Sequence, residues 1–480
     1  MAARSRAAIN RNSARPNVVF LLADQWRAQA TGYAGDPNAR TPNIDRLAAE
    51  SIDFTNAVSC CPVCTPYRGS LVTGQYPLTH GLFLNDVGLN PEAVSIADCY
   101  AAAGYDTAYI GKWHIDGHGR QAYIPRERRQ GFEYWKVLEC THNYNKSQYY
   151  AGDDPTVRVW DGYDAIAQTR DAQQYIEKHA RSNRPFLLFL SWGPPHNPYN
   201  TAPEKYKKVY ADTSGIQLRP NVPEKSKAAA RRDLAGYYAH IAALDDCVGE
   251  VRRTLLHAGI ADRTIVVFTS DHGDMHGSHG QIRKQRPWDE SIKVPLLVHC
   301  PGVGTSKGRK IDMPINAPDL MPTLLGLSGV PVPATVEGTD YSGVVTGEKE
   351  PRNDAALIAC YSPFGEWRRQ NGGREYRGVR TRRYTYVRNL DGPWYLFDNE
   401  RDPYQMNNLV NKPEYAGLQQ KMETILDRLL KETNDEFLPG PEYIAKWGYI
   451  VDERGTVSTR AFKNEKNGRR TARKVRGSAL

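Results

Sequence analysis

The chain has 480 residues, 40% hydrophobic and 10% aromatic, with a formal net charge of +9; that is length for about two packed units and enough apolar material for a sizeable core. Residues 1–15 carry four arginines and no acid, and residues 452–480 carry nine Lys and Arg against three acids, so the basicity belongs to terminal arms expected to be disordered and nucleic acid is not an expected partner. No apolar run approaches the roughly 20 residues of a membrane span, and residues 1–16 hold arginines without the hydrophobic stretch of a secretory leader; the expectation is a cytoplasmic protein as written, periplasmic or secreted if a leader is missing.

Short β-branched runs alternate with helical patterns, the sequence form of an α/β sheet covered on both faces. Residues 17–23 predict a buried strand that runs into Asp24-Gln25. Helical spacing at 44–50 is followed by Cys64-Thr65-Pro66-Tyr67-Arg68-Gly69. A helix at 96–103 precedes a strand at 107–110, which runs into Gly111-Lys112-Trp113-His114; a helix at 165–179 precedes a strand at 185–191, followed by Pro194-Pro195-His196. The clearest helix is 234–257, where Tyr237, Ile241, Leu244, Val248, Val251 and Leu255 form one apolar stripe of core. It leads to a strand at 264–269 that runs into Ser270-Asp271-His272-Gly273. Lys284 precedes a last strand at 294–299, residues 319–327 end the large unit, and the Pro/Gly/Val-rich 329–346 reads as a connector.

After about residue 355 the texture changes. Residues 379–387 and 394–397 alternate like antiparallel strands and 415–430 is amphipathic, which predicts a small sheet with one packed helix. The expected organisation is a basic arm at 1–15, a catalytic α/β domain at 16–350, an α+β subdomain at 351–450 and a disordered basic tail at 451–480.

Two strands of the large unit end in polar residues that a structural role does not need. Ligands of open α/β sheets bind beyond the carboxyl ends of strands, and the carboxylates of Asp24 and Asp271, with an amide and an imidazole beside them, make a divalent-metal site of mostly oxygen ligands. An isolated Asp at a strand end is more often a helix N-cap; the joint occurrence of both turns with the cysteine pentad reverses that preference. A cysteine with proline two residues on and arginine four residues on is a poor design for a disulfide or a zinc ligand.

The pentad resembles the signal by which type I sulfatases of the alkaline phosphatase superfamily have a cysteine oxidised to formylglycine (3-oxoalanine), and the similarity extends over roughly residues 16 to 450. It implies a large mixed, mostly parallel sheet sandwiched by helices, with a smaller C-terminal antiparallel sheet and helix. It implies hydrolysis of O-sulfate esters, in a small molecule or a glycan, after maturation by a formylglycine-generating enzyme, and Gly111-Lys112-Trp113-His114 with the arginine-bearing C-terminal unit looks more like a glycan sulfatase, so a sulfated carbohydrate is the expected substrate. By this resemblance Asp24, Gln25, Asp271 and His272 are metal ligands, with modified Cys64 facing the metal. Arg68 holds the nucleophile and the acids, Lys112 and Lys284 bind sulfate, His114 contacts the hydrate, and His196 helps protonate the leaving oxygen. The family's usual ion is calcium; Gln25 and His272 leave two ligand carboxylates where the commonest set has three, so manganese or magnesium also enters.

Rival readings remain at this point. The Asp-Gln and Asp-His pairs also occur in phosphonate monoester hydrolases of the same superfamily, against which Lys112 with His114 speaks. A thiol-redox or non-catalytic binding protein would keep Cys64 unmodified, Cys61 and Cys64 having redox spacing. His276 and His279 with His272 admit zinc, but a glycine-rich loop explains them as well. The Arg-rich stretch 368–388 reads as the solvent face of strands, with Arg374 or Arg377 able to reach the pocket rim. Asn85, Asp86 and His118 are candidates for sugar hydroxyls.

Overall fold

The computed structural model describes residues 15–302 and 308–459. In chain order the strands of the larger unit are β1 (Asn17–Asp24), β2 (Ile52–Phe54), β3 (Ala57–Val58), β4 (Asp106–Lys112), β5 (Tyr134–Leu138), β6 (Gln148–Ala151), β7 (Asp154–Val159), β8 (Phe186–Pro195), β9 (Thr264–Ser270), β10 (Leu296–His299), β11 (Arg309–Ile311) and β12 (Ile315–Asn316). Ten make one sheet in the order β11-β2-β10-β9-β1-β8-β4-β5-β6-β7, while β3 pairs with β12. The central strands β9, β1, β8, β4 and β5 are parallel, so their carboxyl ends open on one side.

Both faces of this sheet are covered, which is why β1 is buried along its whole length. Val18, Phe20 and Leu22 enter one core and Val19, Leu21 and Ala23 the other, the two-residue alternation of a strand. The helices Cys64–Thr73 and Ala317–Leu327 pack on the first face. Asp164–His179 and Lys227–His257 pack on the second, the latter through the stripe from Tyr237 to Leu255. None of the described helices is long and apolar enough to cross a membrane.

Two parts of this sheet differ from the expectation. The strand expected at 294–299 forms over Leu296–His299 but runs antiparallel to β9, because no long crossover helix lies between them to return the chain; that interval holds the site loop and the short helix Asp289–Ile292. The hairpin of β6 and β7 at the far edge was not marked by apolar alternation, since β7 is mostly exposed.

Beyond residue 354, β13 (Ala355–Cys360), β14 (Tyr376–Thr381), β15 (Tyr384–Asn389) and β16 (Gly392–Asp398) form an antiparallel sheet in chain order. The helix Ala416–Glu432 seals one face with Met422, Leu426, Leu429 and Leu430. The run expected as one strand at 379–387 is broken after Thr381, whose Oγ1 accepts the Tyr384 N–H at 2.8 Å and turns the chain. Of the arginines there, Arg369 and Arg382 are exposed as expected, but two are not on a solvated face. Arg377 is fully buried, its guanidinium on the Asp435 carboxylate, and Arg380 is buried on Asp289 at 3.1 and 3.2 Å.

The chain then returns to the large unit. The helix Gly440–Trp447 is followed by Tyr449, whose Oη donates to the Gly81 carbonyl at 2.7 Å. Val451 bridges Val457, Gly365 N–H donates to Arg454 O at 2.9 Å, and Arg120 N–H donates to Thr459 O at 3.1 Å. Residues 451–459, expected as the start of a disordered tail, are therefore tied to the body, because their apolar side chains find the main core. The rest of that tail and the arm at 1–14 lie outside the described residues.

Removing one partner of a sealed ion pair leaves a buried charge, so Arg377→Ala is expected to lower unfolding free energy by about 3–5 kcal/mol, measured by denaturant titration. Burial also raises Asp164, at the start of its helix, to about 8, against about 3.9 in an unfolded chain. Its neutral form is thus favoured by folding, and the stability it contributes is present below about pH 4 and lost as pH rises to about 8. Asp164→Asn is expected to remove this slope, seen as a variant that gains on the parent protein across that interval.

Candidate active site

The register of three parallel strands assembles the site. Ala23 lies beside Ser270 across β1 and β9, so the residues that follow, Asp24 and Asp271, emerge side by side. On the other flank β8 leads to His196, and its neighbour β4 ends at Lys112, two residues before His114. Gln25 turns the chain away with φ 67 and donates its N–H to Asp271 Oδ1 at 3.0 Å.

Cys64 begins the ten-residue helix Cys64–Thr73, which points its N-terminus at these strand ends and adds a positive field there. The first turn is held by Asn85, whose Oδ1 accepts the Thr65 N–H at 3.1 Å, and by Thr65 Oγ1 on the His114 carbonyl at 2.7 Å. One turn on, Arg68 donates to Lys112 O at 3.0 Å, Ser191 Oγ at 2.8 Å and Asp271 Oδ2 at 3.2 Å, and lies 3.7 Å from Asp24. Arg68 thereby ties helix to sheet.

Around Cys64 Sγ, Lys284 Nζ stands at 2.9 Å and His272 Nε2 at 3.2 Å, with Asp24 Oδ1 at 3.7 Å. Lys112 Nζ contacts Asp24, and Lys284 also reaches His196 Nε2 at 3.1 Å. All ten residues proposed as catalysts or metal ligands are buried, and the fold brings Asp24, Cys64, Arg68, Lys112, His196, Asp271, His272 and Lys284 into one contact network. Gln25 joins it through Asp271, and His114 packs beside it on Asp86 at 3.1 Å.

Charge in this network is shared. Burial and the Cys64 sulfur push the Asp24 carboxyl up, but Lys112, Lys284 and Arg68 together hold it below the usual range. Burial and Asp24 raise Asp271. Burial opposes ionisation of Cys64, yet Lys112, Lys284 and His272 pull the thiol well below its ordinary value. Burial and Lys284 keep His196 neutral, so its Nε2 accepts from the lysine.

Among the described residues, Asp24, Cys64, Asp271 and His272 form a group whose ligand atoms lie within 4.8 Å of one another. The residues fit a divalent cation on two further observations. His272 Nδ1 faces the Gly273 carbonyl at 2.9 Å, so that in the neutral ring the proton sits there and an unprotonated Nε2 faces the group. Gln25 Oε1 is fully buried and has no hydrogen-bond partner in the protein. His276 and His279 are not in this group: His276 packs on Tyr237 and His279 stacks on Trp288.

Some expected sugar contacts take other places. Arg377 is sealed against Asp435 and cannot reach a rim. Asp86 is committed to His114 and, bidentately, to Arg120 at 2.7 and 2.8 Å, so it orients the histidine. Asn85 has spent its carbonyl on the Cys64 helix. His118 pairs with Asp116 at 3.2 Å with a half-exposed ring, and Arg374 bonds its neighbour's carbonyl at 2.9 Å. Sequence reasoning missed Arg120 and His142, the latter stacked on His196 with centroids 4.6 Å apart. Both lie on loops without periodicity, and only their strand-end neighbours signalled them.

The sequence profile of the sulfatase family matches residues 16–330, and that of the N-sulphoglucosamine sulphohydrolase C-terminal region matches 277–432. The chain belongs to the sulfatase family. It is 47% identical to an ulvan-active sulfatase of Formosa agariphila over 91% of this chain and 85% of that one. With an endo-4-O-sulfatase of Bacteroides thetaiotaomicron the identity is 32%, over 88% and 92%. A solved structure concerned with metabolism of multiple glycosaminoglycans by Bacteroides thetaiotaomicron superimposes with TM-score 0.80 at 30% identity, over 90% of this chain and 99% of that one. The phosphonate monoester hydrolase of Agrobacterium radiobacter shares the fold, with TM-score 0.71 at 23% identity over 92% and 99%. This sulfatase thus has the mixed sheet and the small antiparallel unit of its superfamily.

A cation bound only by the folded state stabilises it by about 2.7 kcal/mol at a hundredfold excess over its dissociation constant. Chelator-treated protein is expected to unfold at lower temperature than the same sample with Ca2+ or Mn2+ restored. In Asp271→Ala that difference should largely vanish, as scanning calorimetry would show.

Proposed function

We propose that this sulfatase hydrolyses O-sulfate esters of a sulfated polysaccharide, with Cys64 matured to formylglycine and a divalent cation held by Asp24, Gln25, Asp271 and His272. The observation that carries the reading is Cys64 at a helix N-terminus, 2.9 Å from Lys284 Nζ, in a pocket where cations outnumber the acids they face. The names of the 47% and 32% identical relatives support a glycan as the substrate.

Formylglycine supplies a geminal diol, one hydroxyl to attack sulfur and the other to release sulfate, and the cation lowers the cost of developing negative charge. The chain's own groups do the rest. Lys284, on Cys64, and Lys112, on Asp24, are suited to hold the sulfate oxygens. His114, held by Asp86, itself braced by Arg120, is suited to hydrogen-bond the nucleophile. His196 is neutral and beside Lys284, and this pair can deliver a proton to the departing alcohol oxygen. Arg68 keeps Asp24 and Asp271 in place. Calcium is the family's usual ion, and an imidazole with only two carboxylates also suits manganese.

Cys64 is 1% exposed, so a formylglycine-generating enzyme must reach it before folding is complete. Peptide mass spectrometry of the Cys64 segment from co-expressed protein should show aldehyde or hydrate in place of thiol. Cys64→Ala should lose at least about 10³-fold in 4-methylumbelliferyl sulfate turnover; an unmodified thiol with activity retained in the variant would refute the reading.

A further inference from the structure

The amide of Gln25, on the residue that follows Asp24 of the candidate metal group, is held by a further buried carboxylate, Asp274, that no part of the reaction above uses. Its Nε2 donates to Asp274 Oδ2 at 2.7 Å and to Tyr199 Oη at 3.2 Å. Asp274 is 1% exposed, and its other oxygen accepts two backbone N–H groups, those of His276 and Arg283, both at 3.0 Å. Tyr199 gives its proton to Asp274 and receives one from Arg283 Nη1 at 2.5 Å.

This network decides which end of the amide points where. An amide has a donor end and an acceptor end that look alike in shape, so its orientation is set by its partners. Asp274 meets donors on both oxygens. Tyr199 has committed its only proton, so toward Gln25 it too can only accept. The end of Gln25 that faces them must therefore be the NH2, and Oε1 must point the other way. There it is fully buried without a protein partner, on the residue that directly follows the metal-group carboxylate Asp24.

We propose that Asp274 is a positioning residue: it orients the Gln25 amide so that Oε1, not Nε2, is presented to the divalent cation. This inference rests on the metal site in the proposed function. It predicts a reciprocal exchange. In Asp274→Asn the fixed backbone donors claim the new carbonyl, the new NH2 faces Gln25, and the amide must flip to turn its NH2 toward the ion. In the double variant Gln25→Glu with Asp274→Asn, one oxygen of the introduced carboxylate accepts from the introduced amide and the other faces the ion.

The test is calorimetric titration of chelator-stripped full-length protein with Mn2+ and with Ca2+, for the parent, both single variants and the double, with unfolding temperatures as a check on folding. Asp274→Asn is expected to weaken binding about 10- to 100-fold, the usual effect of losing such a support. Gln25→Glu is expected to improve binding at least about tenfold more when combined with Asp274→Asn than when made alone, where two carboxylates would face each other, and the double variant should bind as tightly as the parent. A merely structural aspartate would give no such recovery. Binding by Asp274→Asn within about threefold of the parent, or equal effects of Gln25→Glu in both backgrounds, overturns the proposal while leaving the metal site intact. Failure of the parent to bind either ion overturns both. If Asp274→Asn does not fold alone, parent-level binding by the double variant supports the proposal, and a folded double variant that does not bind overturns it.

Discussion

Asp24 and Asp271 are two carboxylates buried side by side at the ends of adjacent parallel strands, and the surrounding structure answers the problem they create. Like charges in a medium of low polarity repel strongly, and neither group reaches water. Arg68 spans both, and Lys112 and Lys284 add two more positive charges on the Asp24 side. The acids are thereby kept close without either being displaced from the site. The same concentration of cations is what an anionic substrate group requires, so the answer to the repulsion is also the source of the pocket's character.

The Cys64 helix matters through its two ends of contact. Its first turn is held by Asn85 and anchored to the His114 carbonyl, and its second turn carries Arg68 into the strand ends. The position of Cys64 and the positions of the two acids are therefore parts of one rigid connection. A shift of the helix would move the cysteine and unpair the arginine together, which penalises loosening of the site more than any single contact would.

Much of this was legible because the site residues follow their strands directly. Asp24-Gln25, Lys112 with His114, His196 and Asp271-His272 are each within a few residues of an apolar run, and parallel pairing then fixes their meeting. What was hidden depends on partners far apart in the chain. Asp274 supports Gln25 from 249 residues away and Arg120 braces Asp86 from 34; no local pattern announces either. Arg377 and Arg380 looked solvent-facing because arginine usually is, and only the carboxylates of Asp435 and Asp289 make their burial tolerable. The C-terminal return was obscured by its charge: the basic composition beyond residue 452 masked the few apolar residues that dock.

That return sets an order in time. Arg120 braces the Asp86–His114 wall with its side chain and holds the Thr459 carbonyl with its backbone N–H, and Tyr449 bonds the Gly81 carbonyl. A ribosome adding about 5–20 residues per second needs roughly 20–80 s to proceed from position 64 to this closing segment. Throughout that interval the Asp86–His114 wall beside Cys64 lacks its C-terminal support, so this side of the site is completed only when the last described residues have been made.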